Sequence, residues 1–173
     1  HSQFNKLINF IENLKDIKKI KSSFVIPMPS KSSILRSTHL KGGVLMDMGP
    51  YASSIARIFF KEKIISKKVI IKKNKTKLVT TLRFLIKYKE KIYEGNFRFG
   101  GKYKNELIVV NKKNKFVLNR VFSPPSNEKL NLIVVHLCWQ RFFLVYVIEV
   151  YCYYRDSVRI IKSVLTPKYN FFN

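Results

Sequence analysis

Acidic residues are scarce in this chain of 173 residues, because 10 Asp and Glu stand against 34 Lys and Arg and leave a formal net charge of +24. Such an excess of positive charge is typical of nucleic-acid-binding proteins. However, only eight of the basic residues are arginine, the side chain best suited to bidentate contacts with phosphate and guanine, and the lysines are spread over every predicted element. We therefore interpret most lysines as a solvated surface and keep a lysine-rich nucleic-acid-binding module as an alternative.

Cysteine and glycine are also rare. Cys138 and Cys152 have no CxxC spacing and no neighbouring histidine pair, so no metal site and no redox motif are predicted. None of the six glycines belongs to a GxGxxG or P-loop pattern. The chain is therefore not expected to form a dinucleotide site of its own.

No uncharged apolar run reaches the roughly 18 residues that a membrane-spanning helix needs. The strongly aromatic segment 130–154 comes nearest, and it is predicted to be a buried or partner-facing helix, with a membrane-associated interaction module as a further alternative. It is interrupted by His136, Gln140, Arg141 and Glu149. The chain opens at His1 without a signal pattern, so we expect a cytoplasmic chain that begins inside a longer protein.

Two periodicities predict an α+β fold. Helical spacing of apolar residues predicts helices over 2–15, with Ser2 as its N-cap, and over about 48–61. Alternating residues predict strands over 17–27, 69–73, 78–88, 91–99, 106–110 and 116–122. Because the last five are joined by short connections, we expect them to pair in an antiparallel meander. The result is an open, largely antiparallel sheet with helices packed on one face.

Residues 42–51, with the sequence Gly-Gly-Val-Leu-Met-Asp-Met-Gly-Pro-Tyr, form the segment richest in chemistry-bearing residues. Asp47 and Tyr51 are four positions apart at the predicted start of the second helix, so they would share one helix face near its positive end. A tyrosine that transfers a proton beside a carboxylate is a catalytic arrangement. A helix-capping Asp47 and a core-edge Tyr51 are the alternatives.

This order of elements resembles the C-terminal domain of the Gfo/Idh/MocA oxidoreductase family. The resemblance is carried by His1-Ser2-Gln3 at a helix start, by the strand 17–24, and above all by the motif at 42–51. Weaker support comes from residues 103–107 and from Arg-Val-Phe-Ser-Pro-Pro at 120–125, which are similar to the sugar-nucleotide ketoreductase branch. Lys41 departs from the family pattern, which has a third glycine there.

The resemblance implies hydride transfer between a nicotinamide and a sugar carbon. NAD or NADP would be bound by an N-terminal Rossmann domain that this chain does not contain, so the chain alone is expected to be inactive. Tyr51 would exchange the proton at the sugar oxygen, and Asp47 would hold the substrate or tune its neighbours. His1 would lie near the cofactor cleft, and no metal is expected.

Further residues are candidates for substrate contact by the same resemblance: Arg36, His39, Lys41, Gly42, Gly43 and Arg120. Arg36 and Arg120 would pair with the phosphate of a sugar nucleotide, with surface ion pairs as the alternative. The family also implies a homo-oligomer formed through the open face of the sheet. We expect a domain of this type over 1–128, followed by an atypical apolar and aromatic segment, 129–173, which we interpret as a disrupted end of the same domain.

Overall fold

The computed structural model describes residues 7–9, 11, 16–124, 129–136 and 145–151. They form one sheet of eight strands with the spatial order β2-β3-β4-β1-β5-β6-β7-β8. The strands are β1 (Ile17–Ile26), β2 (Ser66–Lys73), β3 (Val79–Lys87), β4 (Ile92–Phe99), β5 (Lys104–Asn111), β6 (Asn114–Asn119), β7 (Lys129–His136) and β8 (Val145–Tyr151). The predicted α+β class with an open, largely antiparallel sheet is confirmed.

Strand β1 lies at the centre of the sheet, between β4 and β5. It runs parallel to β4 and antiparallel to β5, whereas β2, β3 and β4 pair antiparallel in sequence. The prediction of an uninterrupted five-strand meander is therefore wrong at one step. Four residues connect Phe99 to Lys104, and a chain of this length reaches across two strand spacings of about 4.8 Å, which leaves room for β1.

Helix α1 (Val44–Phe59) packs against β3 and β4 on one face of the sheet. Its buried residues repeat at helical spacing, and they are Val44, Met48, Ala52, Ile55 and Phe59. The helix begins four residues before the predicted start at 48, because the Gly43 carbonyl already accepts the N–H groups of Met46 and Asp47. Of the predicted helix 2–15, residues 7–9 are helical and the rest lies almost wholly outside the described residues.

The core forms between α1 and the face of the sheet that carries the even-numbered side chains Ile20 and Phe24 of β1. Ile20 pairs with Tyr93 and Phe24 with Phe97 across β1 and β4, so these side chains share that face. Burial of each such large apolar side chain contributes about 1.5–3 kcal/mol. Leu7 and Ile11 join the same cluster, which shows that the N-terminal residues cover this face too.

The prediction of a helix over the aromatic segment 130–154 is wrong, since β7 and β8 occupy most of it. Leu132 and Val134 are buried while the residues that follow each of them are half-buried, which is the period of a strand. β-branched residues, which favour this conformation, make up three of the eight residues of β7 and four of the seven residues of β8. β7 pairs with β6 across the predicted domain boundary, and thereby extends the same sheet.

The opposite face of the sheet, which we call the open face, has no helix packed on it in the described part of the chain. Over β1–β6, the register places nine basic residues on this face against two carboxylates, Glu94 and Glu106. The basic residues are Lys19, Lys21, Lys68, Lys72, Arg83, Lys87, Arg98, Lys104 and Lys115. Half-buried aliphatic residues, including Leu85, Ile108 and Val117, lie between them.

Candidate functional site

The two glycines before helix α1 are required by the backbone. A Cβ at Gly42 would lie 2.5 Å from the Ile34 carbonyl oxygen, and Gly43 has a φ of +107°, which side chains rarely adopt. The Gly43 N–H donates to the Leu35 carbonyl at 2.9 Å. This close packing fixes the loop 28–43 against the start of the helix, so that Asp47 follows in its first turn.

Asp47 and Tyr51 lie side by side at the edge of the buried stripe of α1. Tyr51 is 37% exposed, and Asp47 is half-buried. Because the helix starts at Val44, Tyr51 is its eighth residue and lies beyond the first turn. The positive electrostatic potential at the helix N-terminus falls off within the first turn, so it does not reach Tyr51 as expected. It acts on Asp47 instead.

The Tyr51 ring rests in an aromatic cradle formed by Phe24 and Phe122. The ring centroids are 5.7 Å from Phe24, in an edge-on arrangement, and 5.5 Å from Phe122. Such contacts add about 0.5–1.5 kcal/mol each beyond burial. The cradle fixes the ring while the face of Tyr51 that is not packed remains accessible.

Asn105 holds Phe122 in this position. Its buried side-chain oxygen accepts the Phe122 N–H at 3.0 Å, and its backbone carbonyl accepts the Arg120 N–H at 2.7 Å. Arg120 adopts a φ of +55° at this turn. The candidate Arg120 is thereby placed two residues from a ring that contacts Tyr51.

Tyr93 ties α1 to the centre of the sheet from the other side. Its buried hydroxyl donates to the Ala52 carbonyl at 3.1 Å and lies 3.0 Å from the Ser22 hydroxyl. Ala52 is the residue after Tyr51, so this contact fixes the helical turn that carries the phenol. Burial raises the pKa of Tyr93 far above its ordinary value, and its hydroxyl therefore stays protonated.

Within the described part of the chain, neither the Asp47 carboxylate nor the Tyr51 hydroxyl makes a hydrogen bond. Burial raises the pKa of Asp47 above its usual range. Pro50 lies inside the helix and has no N–H, so the Met46 carbonyl lacks its normal partner four residues on. An acid, a phenol and a backbone acceptor thus remain available for a polar ligand.

The other predicted residues are placed less tightly. Arg36 is half-buried and its guanidinium donates to the Pro29 carbonyl at 3.4 Å. His39 and Lys41 are exposed in the loop before the helix, and Lys41 adopts a φ of +56° where the family motif has glycine. His1 lies outside the described residues. Their roles in binding substrate stay predictions.

The sequence did not identify four residues as positioning Tyr51: Phe24, Tyr93, Asn105 and Phe122. Phe24, Asn105 and Phe122 lie in the segments 17–24, 103–107 and 120–125 that carry the family resemblance, which was a usable signal. The bonds of Tyr93 to Ser22 and Ala52 join residues 71 and 41 positions apart, so nothing local could reveal them.

Comparison with solved structures shows the fold. KijD10, a 3-ketoreductase from Actinomadura kijaniata in complex with NADP and TDP-benzene, superposes with a TM-score of 0.70 at 19% identity, over 85% of this chain and 46% of that one. A UDP-N-acetylglucosamine 3-dehydrogenase from Acidithiobacillus ferrooxidans gives 0.61 at 10% identity, over 89% and 44%. An aldose-aldose oxidoreductase from Caulobacter crescentus gives 0.59 at 14%, over 75% and 39%.

These matches confirm the predicted resemblance at the level of the fold: the chain has the architecture of part of Gfo/Idh/MocA-type oxidoreductases. It spans somewhat less than half the length of these structures. No protein-family model matches the sequence, and neither does any curated protein.

The described residues contain no group of three or more His, Cys, Asp or Glu side chains that could hold a metal ion. In the same part of the chain, no helix is both long and apolar enough to cross a membrane.

Replacing Tyr93 by Phe should destabilise the fold by about 1–3 kcal/mol, because the Ser22 hydroxyl and the Ala52 carbonyl each lose a buried partner. Urea denaturation of the wild type, Tyr93→Phe, Ser22→Ala and the double variant measures this. The double variant should cost less than the sum of the single ones, because Ser22→Ala removes the orphaned hydroxyl. Additive costs would show that the two hydroxyls do not interact.

The raised pKa of Asp47 determines how its contribution to the free energy of unfolding changes with pH. The folded state keeps the proton to higher pH than the unfolded chain, so this contribution falls as pH rises from the unfolded pKa of about 3.9 through the folded value. The stability of Asp47→Asn relative to wild type should therefore increase over this interval, measured by urea denaturation in steps of pH. A gain that shrinks with rising pH would mean that the helix N-terminus outweighs burial.

Proposed function

We propose that this chain is the substrate-binding half of an NAD(P)-dependent oxidoreductase that acts on a sugar or sugar nucleotide. The observation that carries the proposal is the pair Asp47 and Tyr51, whose polar atoms make no hydrogen bond in the described residues, on a helix held rigidly from both sides. The fold shared with a 3-ketoreductase and a UDP-sugar dehydrogenase supports it.

The chain supplies the proton chemistry of this reaction. A nicotinamide bound outside the described residues would supply the hydride; residues 16–124 contain no glycine-rich strand-to-helix turn for a dinucleotide. As a carbonyl oxygen gains negative charge, the Tyr51 hydroxyl donates its proton to that oxygen. In the oxidising direction the same phenolate accepts the proton from the sugar hydroxyl. Such a general acid contributes typically 10²–10⁴-fold to the rate.

Asp47 acts on the substrate side. Its carboxylate accepts a hydrogen bond from a neighbouring sugar hydroxyl and so orients the reacting carbon. The Met46 carbonyl, left without its helical partner by Pro50, offers a further acceptor at the same turn. Arg36, Lys41 and Arg120 would meet the phosphates of a sugar nucleotide, with His39, Gly42 and Gly43 lining the same loop.

Titration with UDP-N-acetylglucosamine tests this assignment without the cofactor domain. The chain should bind the ligand saturably in saturation-transfer NMR, and Asp47→Asn and Tyr51→Phe should each weaken binding several-fold to about tenfold, since each loses a hydrogen bond to the sugar. Ser54→Ala, an exposed change on the same helix, is the matched control and should have no effect. NADPH should give no signal.

Equal affinity for wild type and Tyr51→Phe would contradict the assignment of Tyr51. Clear binding of NADPH to the chain would contradict the assignment of the cofactor to another domain.

We further propose that the chain forms a homo-oligomer through the open face, whose half-buried aliphatic residues are not covered by any described element. The nine basic residues of this face oppose such association when two copies meet. Association should therefore strengthen when the salt concentration rises from about 0.05 M to about 0.5 M, because the Debye length shrinks roughly threefold. Sedimentation velocity measures this, and association that weakens with salt would contradict it.

A further inference from the structure

Strand β2 forms one edge of the sheet and is exposed along its whole length. It pairs only with β3, so the N–H and C=O groups that point away from β3 have no strand partner in the described part of the chain. All eight residues of β2 are exposed. An unpaired edge of this kind can accept a further strand through main-chain hydrogen bonds.

Two aliphatic side chains of this edge lie on the side of the sheet that carries α1. Val69 and Ile71 pair with Phe84 and Leu82, whose side chains belong to the core or pack against it, so all four share that side. α1 packs on β3 and β4, and Val69 and Ile71 remain 49% and 47% exposed. An added strand, whose side chains alternate in the same way, would cover both residues.

The edge is also strongly basic. Residues 61–77 contain eight lysines and one carboxylate, Glu62, which pairs with Lys91 at 2.7 Å. None of the eight lysines forms an ion pair with another described residue. Four of them flank the three aliphatic residues of β2, in the sequence Lys-Lys-Val-Ile-Ile-Lys-Lys at 67–73. The potential along this edge therefore favours a segment with carboxylates on both sides of a short apolar centre.

The same charges disfavour a second copy of this chain as the occupant. Two β2 strands paired antiparallel about their centre would place the lysines at 67–68 opposite those at 72–73. Like charges at directly opposed positions of two strands are destabilising. The C-terminal residues 152–173 carry four basic residues and one acidic residue, so their charge is poorly matched too. Charge complementarity thus indicates an acidic segment of another protein.

We propose that the outer edge of β2 binds an extended acidic segment of another protein as an added β-strand. Main-chain hydrogen bonds to β2 hold the segment, its apolar side chains cover Val69 and Ile71, and its carboxylates meet the flanking lysines. The added strand continues the sheet at its edge, so the open face stays available for the proposed homo-oligomer. This surface goes beyond the proposed oxidoreductase function, because it shares no residue with the site of Asp47 and Tyr51.

Fluorescence anisotropy of a labelled, end-blocked peptide with the sequence Glu-Glu-Val-Thr-Val-Glu-Glu tests this surface on the whole chain, at about 0.15 M salt. Alternation places two glutamates and both valines on one side of the peptide, where they match Lys67, Val69 and Ile71 on the α1 side of β2. The peptide should bind saturably.

Two N-methylated forms of the peptide separate main-chain pairing from attraction by charge. One form carries N-methyl groups on its odd-numbered residues and the other on its even-numbered residues, while the side chains stay the same. Only one of these sets of N–H groups donates to β2 in an added strand. That form should therefore bind about tenfold or more weakly, and the other should keep most of its affinity. Equal affinities of the two forms would overturn the proposal in favour of diffuse attraction.

Val69→Ser should weaken binding of the unmodified peptide several-fold, because it removes apolar contact area, and Lys67→Gln should weaken it about two- to fivefold. Lys112→Gln, an exposed change in the turn between β5 and β6, is the matched control and should leave the affinity unchanged. Far-UV circular dichroism confirms that each variant is folded. Absence of saturable binding would overturn the proposal. Self-association that Val69→Ser abolishes would overturn it too, because it would assign the edge to a second copy.

Discussion

The hydrogen bond from the Tyr93 hydroxyl to the Ala52 carbonyl joins helix α1 to the middle of the sheet, and the placement of the candidate site depends on it. Aromatic rings continue this connection through the core. Tyr93 contacts Phe84, Phe84 stacks on Phe97, and Phe97 meets Phe122 beside Tyr51, with ring centroids 4.9 to 6.1 Å apart. Close-packed rings transmit small displacements, because they have few alternative arrangements. We therefore expect a change at Tyr93 to displace the Tyr51 phenol.

The two faces of the sheet have different roles. The covered face buries apolar side chains and presents Asp47 and Tyr51 at the rim of α1. The open face carries nine basic residues over β1–β6, of which Lys19, Arg98 and Lys115 are half-buried and the other six are exposed. Ion pairs such as Lys19 with Glu94 relieve only part of that charge, and exposed pairs of this kind contribute little to stability.

Much of the fold was predictable from the sequence. Alternation located β3 and β4 within about one residue, and the helical stripe from Met48 to Phe59 located α1. The insertion of β1 between β4 and β5 was not, because a four-residue connection is compatible with either arrangement. The aromatic segment that forms β7 and β8 was misassigned because a continuous apolar run satisfies both periods. Asp47 and Tyr51 stood out through their spacing, whereas Asn105 and Tyr93 act through partners distant in sequence.

In the proposed mechanism, the face of α1 that bears Tyr51 receives the sugar. The most direct measurement is an isotope-edited nuclear Overhauser experiment on the chain with bound UDP-N-acetylglucosamine, in which the Tyr51 ring is selectively labelled. We expect contacts between the Tyr51 ring protons and the sugar ring protons, and these should persist in Arg83→Gln, a change on the open face. Contacts of the sugar only with open-face side chains such as Leu85 would contradict this placement.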